Sequence, residues 1–250
     1  MDNSNTSHKS HRHPWLVFVA AFLLVLLTAR LGVWQWSRAE QKQALQLAID
    51  KQAELPPLSN ATLLSDPSLW QQTHRRLTLQ GQWLAEKTVY LDNRQHRGQS
   101  GFWVMTPFRW TDGQVAWVQR GWVVRDPVDA NKAPAIQTPV GQVHITGRVA
   151  GDLSHMVELK PVVNDAALAM PRIQVNLDRT QMQSLVSDKV SGLVIQTDPD
   201  SEGLRRDWPV VAMTADKNTA YAFQWFALSG LITFLYVWFQ WIRPFRHARK

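Results

Sequence analysis

The side chains that most often carry out chemistry in proteins are few in this chain and lie far apart. Cysteine is absent, which excludes a thiol nucleophile, a thiol redox role and a cysteine-ligated zinc site. The sequence contains no phosphate-binding glycine loop, no nucleophile elbow and no carboxylate–histidine set at helical spacing. Away from the chain ends the histidines are isolated, at His74, His96, His144 and His155. We therefore predict neither a catalytic site nor a metal site.

One segment does bring charged and polar side chains together. It comprises Asp92, Asn93, Arg94, His96 and Arg97, and Arg120 follows on a later predicted strand. Guanidinium groups at this spacing would bind an anion such as a propionate or a lipid phosphate. The same pattern is also typical of a turn that hydrogen-bonds to itself. The residues alone leave both interpretations open.

Two apolar stretches dominate the hydropathy pattern. The first is uncharged from Trp15 to Ala29 and continues to Trp36, which gives about 33 Å of helix if Arg30 snorkels to the nearer interface. The second, Tyr221 to Ile242, has no charge over 22 residues. Indole rings favour the headgroup zone, and tryptophans lie near the ends of both stretches, at Trp15, Trp34, Trp36, Trp225, Trp238 and Trp241. We predict transmembrane helices over residues 15–36 and 221–242.

Two alternatives compete with this prediction. The stretches could be a pair of buried core helices, or the first could be a cleavable signal peptide. No small-x-small cleavage site precedes a mature start, since Thr28-Ala29 runs directly into Arg30. The sequence therefore favours a retained membrane anchor.

The distribution of charge indicates the topology. Of the net charge of +7, six units belong to residues 1–14, Arg30 and residues 243–250, whereas residues 31–220 are nearly neutral. This excludes a basic face for nucleic acid. Because basic residues stay on the cytoplasmic side, we predict that the tails 1–14 and 243–250 are both cytoplasmic. Residues 37–220 then form an exported domain, in the bacterial periplasm or in a mitochondrial intermembrane space.

The exported domain has the pattern of a β-rich fold. The first helix is expected to continue to about Glu54, before Pro56-Pro57, and a polar linker follows at 58–67. Asp112-Gly113 predicts a hairpin, and a short helix over 178–186 is capped by Asn176 or Asp178. Strands are predicted over 75–84, 88–91, 102–110, 115–124, 141–149, 192–197 and 209–213. The fold class is thus an α+β membrane protein, with two transmembrane helices flanking one mainly antiparallel β domain.

Four sequence blocks in this order resemble the surfeit-locus (SURF/Shy) family of cytochrome c oxidase assembly proteins. They read RLGVWQWSR at 30–38, YLDNR at 90–94 leading to VMTP at 104–107, DG at 112–113 leading to WVQRGWV at 117–123, and YAFQWF at 221–226. The resemblance covers about Trp15 to Arg243. The motif residues are Leu31, Gly32, Trp34, Gln35, Arg38, Tyr90, Arg94, Gly98, Gly101, Thr106, Pro107, Arg120, Gly121 and Trp122.

The resemblance implies a non-enzymatic assembly factor in the inner (cytoplasmic) membrane. Its partners would be membrane lipids, the catalytic subunit of a heme-copper oxidase and, for members that carry heme a, heme A synthase. It would assist heme a insertion into that subunit or stabilise it. Two other classes stay open: a heme-independent envelope adaptor, and a membrane-anchored periplasmic enzyme that uses the Asp92–Arg97 segment.

The resemblance also implies a place for heme a and a difference in this chain. Family members often carry a histidine, the favoured axial heme ligand, three residues before the tyrosine of the last block. Here that place is Asn218, and an amide is a poor ligand for heme iron. The implied contacts to the heme ring and its propionates are Tyr221, Gln224, Trp225, Arg38, Arg94 and Arg120. For the three residues on the last block, anchoring at the membrane surface is the alternative role.

Overall fold

Two long helices stand at the ends of the described chain. The computed structural model describes residues 14–129, 132–153, 156, 172–208 and 212–243. Helix α1 spans Pro14–Glu54, and the last helix, α4, spans Ala212–Val237 and continues as a π-helical turn over Trp238–Ile242. The chain divides into a helical unit, with residues up to Leu47 and from Val210, and a β unit, Ala48–Pro209.

Both long helices have the length and apolar composition needed to cross a membrane. In the most apolar 18-residue stretch of each helix, only 11% of the residues of α1 and 6% of those of α4 are buried. Core helices of a soluble protein would bury their apolar side chains, so the alternative of two buried core helices is not supported. Exposed apolar helices of this length are typical of membrane anchors.

The helices extend beyond the predicted transmembrane segments. Helix α1 runs on to Glu54, as expected from the absence of glycine and proline before Pro56. Helix α4 is already helical at Ala212, so the strand predicted over 209–213 is wrong for Ala212 and Met213, and residues 209–211 lie outside the described residues. The segment from Ala212 to Ala220 contains no helix breaker, and the helix therefore begins before the apolar stretch.

The β unit is built on one seven-stranded sheet. The strands are β1 Arg76–Trp83, β2 Val89–His96, β3 Gln99–Thr111, β4 Gln114–Val124, β5 Val143–Ala150, β6 Arg172–Gln174 and β7 Lys189–Gln196. Their order is β1-β5-β7-β4-β3-β2-β6, and β1 also pairs with β3, so five strands close into a ring. Among the described strands only β4–β7 and β2–β6 are parallel pairs, which confirms a mainly antiparallel domain.

Alternation of apolar residues places the core. In β1 every second residue is buried, including Leu77 and Leu79, and these pack with Phe108 and Val118. Strand β4 is buried from Val115 to Val123, because its alternate side chains pack into two clusters, Val118 with the β1 leucines and Trp117 with other apolar residues. The predicted Asp112-Gly113 turn connects β3 to β4, with Gly113 at φ +71°.

Two local predictions are wrong. Residues 58–67 are not a polar linker, since Leu58 and Leu63 are buried and helix α2 spans Asn60–Ser65 behind a capping box on Ser59. The strand predicted over 88–91 also ends too early. Strand β2 passes through a bulge there, and Arg97 and Gly98 form the turn at positive φ.

The predicted short helix in the second half of the β unit is present. Helix α3 spans Arg179–Ser184, and the carboxylate of Asp178 accepts a hydrogen bond from the backbone N–H of Gln181. Asp178 is therefore the cap, while the side chain of Asn176 bonds the backbone of Met156. A capping box at Asp178 fixes where this helix begins.

Candidate functional site

The helical unit contains a continuous seam between α1 and α4. On α1, Phe18, Val25, Gly32 and Ala39 follow one another at intervals of seven residues, as do Ala21, Thr28, Gln35 and Lys42. On α4 the same interval separates Ala215, Ala222, Ser229 and Tyr236. Contacts between the helices run in reverse order along the two chains, so the helices are antiparallel. The pairs are Phe18 with Tyr236, Val25 with Ser229, Gly32 with Phe226, Trp36 with Phe223, and Lys42 with Asn218.

The closest fit along this seam is at the motif residue Gly32. A β-carbon at this position would lie 2.6 Å from Cε1 of Phe226, well inside van der Waals contact. Ala222, one turn before Phe226, is fully buried, and Trp36 meets Phe223 edge to face at 6.0 Å. Small residues let helix backbones approach closely in a membrane. Gly32 is therefore a packing residue.

The second motif residue on the seam, Gln35, belongs to a polar cluster that we name the amide clasp: Gln35, Lys42 and Asn218. The Asn218 side-chain Nδ2 donates to Gln35 Oε1 at 2.6 Å, and Lys42 Nζ donates to Asn218 Oδ1 at 2.6 Å. All three side chains are half-buried. Polar side chains on an apolar seam specify the register of the two helices.

The amide clasp does not fit an axial heme ligand at position 218. The amide oxygen of Asn218 already accepts from an ammonium group, and its nitrogen donates to Gln35. A carboxamide is also far weaker than imidazole toward heme iron. We derive no step through heme at this position.

The other residues implied as heme contacts on the helices are mostly exposed. Tyr221 and Gln224 are exposed on α4, and Trp225 is half-buried. The exposed guanidinium of Arg38 lies 6.0 Å over the ring of the motif residue Trp34. Their contact with a heme stays a prediction.

In the β unit, Arg120 is a fully buried cation. Its guanidinium donates to Glu202 Oε2 at 2.8 Å and to the backbone oxygen of Gln137 at 3.0 Å, and stacks 4.6 Å over the ring of Trp83. Burial lowers the pKa of Arg120, and the carboxylate of Glu202 opposes this shift. Arg206, also buried, donates to the same carboxylate oxygen at 2.8 Å. Arg120 thus holds distant loops onto the sheet.

Arg94 has a similar structural role. It is 4% exposed, donates to the backbone oxygen of Val175 at 2.8 Å and stacks 4.6 Å over Trp103. Burial is the largest cause of its lowered pKa. Its own backbone oxygen accepts the indole N–H of Trp122 at 2.7 Å.

The rest of the Asp92–Arg97 segment is paired within the β unit. Asp92 and Arg97 form ion pairs with Arg125 and Asp207, and His96 Nε2 lies 3.0 Å from the carboxylate of Asp207. These partners lie outside the segment, so the charged groups link it to the rest of the β unit. Contact of Arg94 and Arg120 with propionates stays a prediction.

The remaining motif residues of the β unit serve the sheet. Gly101 faces β4 so closely that a β-carbon would lie 2.2 Å from the backbone oxygen of Val123. Tyr90 donates its hydroxyl to the oxygen of Pro134 at 3.1 Å. The others are Gly98 in the β2–β3 turn, Thr106 bonded to Thr88, Pro107 whose oxygen accepts from Leu84, Gly121 against Leu204, and Trp122 paired with Arg205.

Sequence reasoning missed the seam and the partners of the buried arginines. The seam has a signal, the seven-residue interval on α1, but it is hidden because nearly every position of that segment is apolar. Glu202 and Arg206 have no such signal, since sequence distance does not indicate that they lie beside Arg120.

The fold and seam define a class: a β domain inserted between two antiparallel helices long enough to cross a membrane. A sequence model of the SURF1 family matches residues 22–230, and the chain belongs to this family. The resemblance seen in the four sequence blocks is thereby confirmed.

Relatives of this chain cover it to different extents. It is 27% identical to a SURF1-like protein of Mycobacterium tuberculosis over 225 residues, 88% of this chain and 81% of the relative. It is 30% identical to a SURF1-like protein of Dictyostelium discoideum over 124 residues, 47% and 46% of the two chains. Similarity to the cytochrome oxidase assembly protein SHY1 of Saccharomyces cerevisiae is 24% over 114 residues, 45% of this chain and 29% of that protein.

Proposed function

We propose that this chain is a membrane-anchored, non-catalytic assembly factor for cytochrome c oxidase. The observation that carries the proposal is the family match over residues 22–230, which includes most of both long helices and the whole β unit. The similarity to the yeast cytochrome oxidase assembly protein supports the same process. The partner would be the catalytic subunit of a heme-copper oxidase.

The proposed location is the inner membrane, with both ends cytoplasmic and the β unit in the periplasm. The exposed apolar helices support membrane insertion. The positive charge in the two tails supports the orientation.

Within this function, we favour stabilisation of the catalytic subunit over delivery of heme a by a ligand at position 218. The amide clasp supports this choice, because both polar atoms of Asn218 are already bonded within the helical unit. The heme-delivery alternative, with heme A synthase as the donor, requires another ligand. Purification from cells that make heme A, followed by absorption spectroscopy, separates the two. We expect no Soret band from the purified chain, and a stoichiometric band would overturn this choice.

The function itself is tested by deleting the gene. We expect loss of assembled cytochrome c oxidase and of its heme a absorbance in membranes, restored by the wild-type chain on a plasmid. Unchanged oxidase would instead support the envelope adaptor.

Complementation with two glycine variants then tests the seam. Gly32→Ala places a methyl group against Phe226, whereas a β-carbon at Gly230 meets no atom within 4 Å. We expect Gly230→Ala to restore the oxidase and Gly32→Ala to restore clearly less at equal protein level. Equal restoration would show that the closely packed seam is dispensable for assembly.

A further inference from the structure

We propose that a crevice of the β unit binds a guanidinium group, supplied by an arginine side chain of a partner protein. The crevice, here named the cation crevice, has a volume of about 400 Å³ and lies where β1 and β7 end and β5 begins. The residues that carry the argument are Trp83, Gln142, Gln196, Asp198 and Glu202. The inference is independent of the oxidase assembly proposed above.

The first observation is the carboxylate of Asp198, which has no ion-pair partner among the described residues. Both oxygens of Asp198 accept from the backbone N–H of Thr146 at 3.1 Å, and Oδ2 also accepts from Gln196 Nε2 at 2.8 Å. These donors are neutral, and no ion pair to Asp198 occurs among the described residues. The donors fix the carboxylate in place and leave its negative charge for a ligand.

The second observation is an unpaired acceptor beside it. Gln196 is 3% exposed and also lines the crevice, but its Oε1 accepts no hydrogen bond in the described structure. A buried acceptor without a donor is costly, so a ligand that supplies an N–H group there is favoured. Asp198 and Gln196 are held together by their own hydrogen bond, so a ligand bound at Asp198 lies beside Gln196.

Glu202 also lines the crevice, but its negative charge is already paired. Its Oε2 is already shared by Arg120 and Arg206, both at 2.8 Å. Asp198 is therefore the carboxylate left to attract a cation. Trp83 and two aliphatic residues, Val143 and Ile145, add an apolar wall.

These features together fit an arginine side chain. Its planar guanidinium carries several N–H donors, which can address a carboxylate and an amide oxygen at once. Its aliphatic stem can lie along the apolar wall. A metal ion is a poorer match, because no group of three His, Asp or Glu side chains that could hold one occurs among the described residues.

The test measures binding of blocked arginine to the full-length chain in detergent. N-acetyl-arginine amide is titrated by ligand-observed NMR, with N-acetyl-citrulline amide as the neutral isostere. We expect at least tenfold weaker binding of the citrulline compound, and equal binding would overturn the proposal. Agmatine, which lacks the peptide groups, tests the source of the cation. Tighter binding of agmatine by tenfold or more would overturn a protein side chain as the ligand.

Variants locate the site. Asp198→Asn should weaken binding of blocked arginine at least tenfold, whereas Asp152→Asn, an exposed acid outside the crevice, should leave it unchanged. Should Asp198→Asn fail to fold, Gln142→Lys places a competing ammonium at the exposed rim and should also weaken binding tenfold. Unchanged binding in Gln142→Lys, or in a folded Asp198→Asn, would overturn the assignment. The assay contains no oxidase, so its failure would leave the proposed assembly function untouched.

Discussion

The helical unit and the β unit handle polar side chains in opposite ways. Along the seam of the helical unit the polar groups are mainly neutral and only half-buried, as in the amide clasp. The β unit instead buries the cations Arg94, Arg120 and Arg206 at 4%, 0% and 6% exposure. Loss of a partner from a buried charge strongly destabilises a fold. Half-buried amides on a helix seam contribute little stability, but they specify the register of the two helices. Motif residues therefore stabilise one unit and align the other.

The largest expected effect is a loss of stability in the β unit. Arg120→Met should destabilise the chain by about 3 kcal/mol, because the backbone oxygen of Gln137 and the hydroxyl of Thr138 lose a buried donor, while Glu202 keeps Arg206 as a partner. The thermal-unfolding midpoint of the purified chain in detergent measures this loss. The control is Arg179→Met, which removes an exposed ion pair with Asp152 and should cost less than about 1 kcal/mol. Similar losses in the two variants would contradict a structural role for the buried cation.

The next effect disturbs packing in the helical unit. Gly32→Ala should weaken helix pairing by about 1–3 kcal/mol, because the new methyl group overlaps the ring of Phe226. Since the chain has no cysteine, a Val25→Cys, Ser229→Cys pair gives a clean disulfide reporter of the seam. We expect a lower cross-linking yield in Gly32→Ala. Gly230→Ala should match the parent yield, and a fall there would mean that the reporter does not follow the seam.

A smaller effect tests the amide clasp. Asn218→Ala and Gln35→Ala should each cost about 1 kcal/mol, since one interhelical hydrogen bond joins the two side chains. The double variant should cost less than the sum of the single variants, with a coupling of about 0.6 kcal/mol. Thermal midpoints and the same disulfide reporter measure the cycle. Strict additivity would show that the two amides do not interact.

The smallest effect is a pH dependence in the β unit. Burial, and then the charge of Arg148, lower the pKa of His74 below its usual 6.5. The unfolded chain therefore binds more protons than the folded chain just below that pH. Stability falls on acidification through this range by less than about 1.4 kcal/mol per pH unit, and is flat well above it.

The variant His74→Asn isolates this contribution. Asparagine tolerates the positive φ of 70° at this position and does not titrate. Unfolding midpoints between pH 5 and 8 should show a shallower acid loss in the variant than in the wild type. Parallel curves would contradict a lowered pKa for His74.

Much of the fold could be predicted from local pattern. The alternation in β1 and the Asp112-Gly113 turn are local signals, and both predict the structure correctly. The strand predicted over 88–91 ends too early at Asp92-Asn93, because pairing with β3 carries β2 through a bulge there. The ring closure by β1 and β3 joins residues far apart in sequence, which no local pattern encodes.

The candidate sites divide in the same way. The seam can be read from seven-residue intervals once two helices are assumed to pair, so the sequence holds the information for Gly32 and Gln35. Arg94 and Arg120 look like exposed strand residues, because their partners come from distant loops through Val175, Thr138 and Glu202. The candidate site at Asp198 and Gln196 likewise could not be predicted, because it forms only when the end of β7 pairs with β5 near Thr146.

The ring of five strands also bears on how safely this chain can meet incompletely assembled proteins. An open sheet edge offers unpaired backbone groups to any other chain, which favours aggregation by strand addition. In the described sheet the strands of the ring are hydrogen-bonded to neighbours on both sides over much of their length. The terminal strand, β6, is only three residues long. An assembly factor with so few free strand edges offers incompletely folded subunits little opportunity for intermolecular strand pairing. The pairing of β1 with β3, which sequence alone did not reveal, thus protects the chain from aggregation with its proposed partner subunit.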